Sequence, residues 1–270
     1  MLRSKDTFIH MGGVLHVIAA ESFFSQAGLS NFGLRWLHIL VGIMWIGLLY
    51  YFNFVQVPAF AAYGDEAKAR NIAIDKIARK ALWWFRWAAV STFVTGILIT
   101  VVADNYYGND FGKNAGGIAI STGMILGTIM MLNVWGVIWR NQKVVLANAA
   151  NVLAGGEADP NAAAAGRKAL MASRQNAVFS VSMLFFMVYK THSPSSGAML
   201  ESSAMGTYWA IALVIIAVLE LNALGLMPWK TTPNKGLNVL YDGPGVRNPL
   251  IAAFGLWVVF LVLSEVFLTA

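Results

Sequence analysis

The chain has 270 residues, 58% hydrophobic and 12% charged, with a mean hydropathy of +0.62; this excludes a soluble domain or a disordered chain and predicts an all-α integral membrane protein. The formal charge is +6, but the basic residues fall in short stretches between apolar runs, a pattern that reports membrane orientation and not nucleic-acid binding. With no cysteine, disulfides, thiolate metal sites and covalently attached haem are excluded, which leaves His, Met, carboxylates and Tyr as the possible ligands, with imidazole the expected one for any metal.

Residues 1–30 carry His10, His16 and Glu21 within an apolar stretch that Gly12 and Gly13 weaken as a helix. They predict an N-terminal amphipathic or membrane-embedded segment, either interfacial or an additional span. A cleaved signal peptide is not favoured. Residues 31–270 read as one polytopic bundle with six transmembrane helices, at 34–57, 81–102, 117–138, 177–188, 208–227 and 249–268. The fourth run is short and is expected to begin earlier, through Arg174, Gln175 and Asn176. The alanine-rich stretch 147–165 predicts a helix and turn outside the membrane, broken at Gly155-Gly156 and Pro160.

In the first span, Arg35, His38, Gly42, Trp45 and Leu49 recur at helical spacing and share one face. A titratable ring inside a membrane helix is a functional-site candidate. The plainer alternative is a histidine hydrogen-bonded to a neighbouring helix. Trp83, Trp84, Tyr106, Tyr107, Trp139, Trp209 and Trp229 at span ends suit an interfacial belt.

Loop charges set the orientation. Lys68, Arg70, Lys76, Arg79 and Lys80 follow the first span; Arg140, Lys143, Arg167, Lys168 and Arg174 follow the third; Lys230, Lys235 and Arg247 follow the fifth. These three loops are expected inside, and the acidic or sparsely charged loops after the second and fourth spans outside. Six spans then begin and end outside, which in a bacterial inner membrane puts the C-terminus in the periplasm. His38, His192 and Glu265 fall in the outer half, where Glu265 could orient a histidine ring. His192 also reads as a surface residue at a helix C-terminus. On the inner side, Arg86 lies about 8 Å into the second span and Glu220 about 9 Å before the end of the fifth. Their matched depth predicts a structural ion pair, with snorkelling of Arg86 as the alternative.

Several separated strings carry a family likeness: Arg35-Trp36-Leu37-His38 followed by Gly42-Ile43-Met44-Trp45-Ile46-Gly47; Trp84-Phe85-Arg86-Trp87 with Thr95-Gly96; the stretch 133–143 from Asn133 through Trp135 and Trp139 to Gln142-Lys143; and 180–187 leading to His192. Together they span roughly residues 30–195, and the stretch ending in Gln142-Lys143 is the most specific. The chain resembles the membrane domain of bacterial membrane-bound urate hydroxylases, which often carry a fused C-terminal cytochrome c. The resemblance implies oxidation of a purine such as urate, with electrons passed to a cytochrome c. His38 and His192 would then be haem or metal ligands, or His38 a proton acceptor, with Arg35 attracting an anionic substrate and Glu265 supporting the cofactor. Because the sequence ends directly after its last apolar run, the expected electron partner is a separate cytochrome c or another membrane subunit. The competing expectation is a non-catalytic accessory or haem-binding electron-transfer subunit of a larger complex. A transporter fits less well, since paired interrupted helices are not apparent.

Overall fold

The apolar runs fold into long helices, with no strand among the described residues. The structure is a computed structural model that describes residues 25, 28–102, 107–108, 110–228, 233–242 and 245–269. Most of the expected N-terminal segment, including His10, His16 and Glu21, lies outside the described residues, as do Tyr106, Trp229 and Lys230. The long helices are α1 (Gly28–Ala62), α2 (Ala67–Val102), α3 (Ala115–Leu153), α4 (Ala162–His192), α5 (Ser202–Ala223) and α6 (Arg247–Phe267).

Five of them, all but α4, are long and apolar enough to cross a membrane. The exception has 31 residues, but Arg174, Gln175, Asn176, Ser180 and Ser182 are all buried along it. Its position explains its composition. It packs most extensively on α3 and α6 and also touches α1 and α5, so its polar side chains face protein and not lipid. As expected, it starts well before the apolar run at 177–188. The expected break in the alanine-rich stretch is present: α3 ends at Leu153, Gly155 turns the chain at φ +87°, and α4 begins at Ala162.

With 35, 36 and 39 residues, α1, α2 and α3 are about 52–59 Å long at 1.5 Å per residue. That exceeds a hydrocarbon layer of about 30 Å, so each extends well past it. Wider π-type turns at Tyr51–Gln56, Ile74–Ala78 and Val134–Ile138 interrupt the three helices.

Side-chain contacts fix the register. Phe52 meets Phe85 edge-on, with centroids 5.4 Å apart, while His38 lies beside Thr95, so α1 and α2 are antiparallel. The Tyr50–Ser180 and Asn53–Ser173 hydrogen bonds, each 2.9 Å, make α1 antiparallel to α4. Thr122–Tyr208 and Asn133–Glu220 contacts make α3 parallel to α5, and Phe186 packs on Phe260 across α4 and α6. Consequently His38, His192 and Glu265 lie at one end of the bundle, and Glu220 and Asp242 lie toward the other.

The core includes Trp45, Leu49, Phe85, Leu126, Met130, Phe179, Phe186, Tyr208 and Phe260. Ile39, Ile43, Val94, Val101, Val214, Val262 and Val266 remain exposed, which gives the outer faces the apolar character a bilayer demands. Helices α3 and α4 approach closely at Gly123, where an added Cβ would stand 3.1 Å from Phe186 Cβ. At the His38 end, the connections before α3 and after α4 are tied by Ala115 N–H to Ala198 O and Leu200 N–H to Lys113 O, both 2.9 Å.

Candidate functional site

His38 sits on α1 with its ring turned onto α2. Its Nδ1 lies 3.0 Å from Thr95 Oγ1. The single proton of that hydroxyl is directed to backbone carbonyls, at 2.7 Å to Ser91 O and 3.0 Å to Thr92 O. Thr95 therefore accepts from His38 Nδ1–H, and this hydrogen-bond network assigns the neutral tautomer whose Nε2 keeps its lone pair. Gly96 makes room for the ring: a Cβ there would stand 3.2 Å from His38 Cε1. One turn deeper, Thr92 fills the space beside Gly42, its Cγ2 lying 3.8 Å from where a Cβ would be. The predicted face is thus real, with Trp45 and Leu49 buried, and a neighbouring helix covers it.

Arg35 is exposed on the first turns of α1, close enough to Lys190 on α4 for the two positive charges to repel. Lys190 Nζ lies 4.7 Å from the centroid of the Phe111 ring.

His192 and Glu265 are brought together in a different place. Both line an open groove of about 600 Å³ between α4 and α6, walled by Leu184, Phe185, Val188 and Leu261. No α1 residue lines it, so the structure places His38 and His192 at the same end but in separate surroundings. Among the described residues, no three His, Asp or Glu side chains converge as a metal-binding group.

The expected Arg86–Glu220 ion pair does not form. The guanidinium of Arg86 stacks 3.8 Å above the Trp139 ring, and Trp135 Nε1–H donates to Arg86 O at 3.1 Å. Glu220 instead accepts from Asn133 Nδ2 at 3.2 Å, and the same amide donates to Asn176 Oδ1 at 3.0 Å. Gln175 lies near Glu220, but its Nε2 makes no hydrogen bond of regular geometry. Cation–π stacking and amide hydrogen bonding each lower the cost of a charged or polar group away from water. Equal depth brought the two residues to one level, and facing different neighbours kept them apart.

Beyond Glu220, a polar clamp closes the opposite end. Arg167 makes a bidentate pair with Asp242, at 2.5 and 2.9 Å, and Arg174 donates to the carbonyls of Tyr241 and Gly245. The Tyr241 hydroxyl donates to Gln175 Oε1 at 2.5 Å, and burial pushes that phenol above its ordinary value. Burial would also raise the Asp242 carboxyl, but hydrogen bonds from Arg167 and from Asn234 N–H, with the charge of Arg174, outweigh it and hold Asp242 below the usual carboxylate value.

Sequence reasoning singled out neither Thr95 nor Gly96 as the partners of His38, and it missed the Asn133–Asn176 bridge. The available signal was the Thr95-Gly96 string itself, a hydroxyl residue beside the one glycine in the stretch Arg79–Val102. Together, fold and site define an all-α bundle of membrane type, with ionisable side chains gathered at both ends. Comparisons with protein-family models, with curated proteins and with solved structures give no match.

Proposed function

We propose that this is a redox protein of the bacterial inner membrane, resembling urate hydroxylase, that oxidises a purine such as urate at the His38 end and passes the electrons to a separate cytochrome c. In this reading α4 crosses the bilayer with the other five helices, and His38, His192 and the C-terminus face the periplasm. The observation that carries the reading is the 3.0 Å contact of His38 Nδ1 with Thr95 Oγ1, a hydroxyl that also reaches the Ser91 carbonyl: with Thr95 accepting the Nδ1 proton, Nε2 is left as a ligand atom.

A b-type haem would be held through one imidazole, that of His38, whose ring has its place on α2 because Gly96 carries no side chain. Such a group would supply one-electron carriage. Arg35 and Lys190 draw an anionic purine toward this end by charge. Thr95 holds the imidazole in orientation, and the packed face of α1 on α2 keeps water from the inner side of the ring. Hydroxylation takes its oxygen from water and releases two protons and two electrons per purine, so two molecules of cytochrome c are reduced. The protons leave to the aqueous phase at the same end.

The test is urate-dependent reduction of added cytochrome c by the purified chain in lipid nanodiscs. Reduction that is lost in His38→Ala and shows a raised KM in Arg35→Gln supports the proposal. No reduction by a folded, membrane-inserted chain contradicts it. The second reading, a haem-binding electron-transfer subunit without catalysis of its own, is favoured by the commitment of His38 to a single neighbouring helix. Haem retained together with other membrane subunits, but no turnover of urate, would select it.

A further inference from the structure

We infer that the groove between α4 and α6 binds the headgroup of a lipid-borne quinone, with His192 and Glu265 as its hydrogen-bonding partners. This rests on the groove alone and is independent of the purine reading. Its walls are apolar, formed by Leu184, Phe185, Val188 and Leu261, while His192, Ser193 and Glu265 gather at the helix ends. A ligand that fits must therefore be apolar along most of its length and polar at one tip. The groove is also open sideways: Val188, which lines it, is 54% exposed, and Val262, next to the lining residue Leu261, is 54% exposed, and in a bilayer such apolar outer faces would meet lipid. Its occupant arrives from the bilayer.

The polar tip narrows the chemistry further. An acidic side chain at the mouth disfavours phosphate headgroups and fatty acids, and the apolar walls disfavour sugars and nucleotides. An imidazole N–H can donate to a quinone carbonyl, and the Glu265 carboxyl can accept from the hydroxyl that replaces it in the quinol. Paired donor and acceptor groups thus serve both oxidation states of one ring. Phe185 and Tyr189 offer aromatic walls, with centroids 5.7 Å apart and planes at 69°, against which a planar head can lie. A volume of about 600 Å³ lies within the range of small-molecule sites, about 300–1,000 Å³.

The experiment titrates the full chain, in nanodiscs of neutral phospholipid, with short-tailed ubiquinone and menaquinone analogues. Quenching of tryptophan fluorescence reports binding, because Trp257 packs on Phe185 with centroids 6.2 Å apart, and Trp257→Phe identifies its share. Saturable quenching is expected. His192→Ala and Glu265→Ala each weaken it about tenfold, the loss of one good hydrogen bond, and Leu184→Trp fills the groove and removes it. Both polar positions are exposed, so the variants should fold. The inference is overturned by non-saturable quenching, by unchanged affinity in both alanine variants, or by a tail-only isoprenoid or phosphatidylglycerol binding as tightly as the quinone.

Discussion

Replacing Thr95 by valine removes one hydroxyl and nearly nothing else, so Thr95→Val isolates the hydrogen bond that positions His38. The lost contact is the 3.0 Å bond from Nδ1–H to Thr95 Oγ1. The hydroxyl's own donations to Ser91 and Thr92 carbonyls vanish too, but those carbonyls keep their places in the helix ladder. A neutral hydrogen bond of this type contributes about 1 kcal/mol, and interhelical ones in membranes average about 0.6 kcal/mol. Because 1.4 kcal/mol is tenfold, the preference for the Nδ1–H tautomer should fall by roughly three- to fivefold. Nitrogen NMR shifts of His38 in nanodiscs read that ratio directly, and thermal unfolding of Thr95→Val, His38→Ala and the double variant reads the coupling. A tautomer ratio unchanged by Thr95→Val, or additive stability losses in the cycle, would refute the assignment of Nε2 as the free nitrogen.

The remaining predictions concern the rest of the bundle. Since Arg86 and Glu220 have separate partners, the stability losses of Arg86→Gln and Glu220→Gln should add to within about 0.5 kcal/mol, whereas Asn133→Leu and Glu220→Gln should couple by more; both are read from double-variant unfolding. Gly123→Val should destabilise the protein by about 1–3 kcal/mol, because its Cβ would begin 3.1 Å from Phe186 Cβ; unfolding unchanged from the parent chain would count against the close approach of α3 and α4. Asp242→Asn should cost about 1 kcal/mol at neutral pH, after allowing for solvent around Arg167, whose side chain is 37% exposed. The folded carboxyl is held low, so its contribution is present above the ordinary aspartate value of about 4 and is lost as pH falls through the lower folded value. The gap in unfolding temperature between parent and variant should therefore close on acidification below about pH 4, and a constant gap would remove Asp242 as the cause.

The sequence disclosed depth far better than direction. Apolar runs long enough to cross a bilayer are visible in any window of the chain, so the α1, α2, α3, α5 and α6 spans were readable, with the polar extensions of α1, α2 and α3 less so. The length of α4 was only half visible because hydropathy averages over a helix, while its polar residues are buried against neighbouring helices. Matching depths correctly put His192 and Glu265 at one end, and they also face one groove. The same argument placed Arg86 level with Glu220, yet the first turns toward Trp139 and the second toward Asn133. Rotation about the helix axis depends on which neighbour packs where, and that is set by contacts far apart in sequence. For the same reason His38 could be singled out by its type and depth, but its partner Thr95, 57 positions away, could not.

The most direct test of the redox account is the visible absorption spectrum of the detergent-purified chain and of its His38→Ala variant, after supplying haem during expression. The account predicts a Soret band in the parent protein that survives His192→Ala and disappears in His38→Ala, with both variants folded by circular dichroism. A parent protein without the band, or a band equally strong when His38 is alanine, would contradict it.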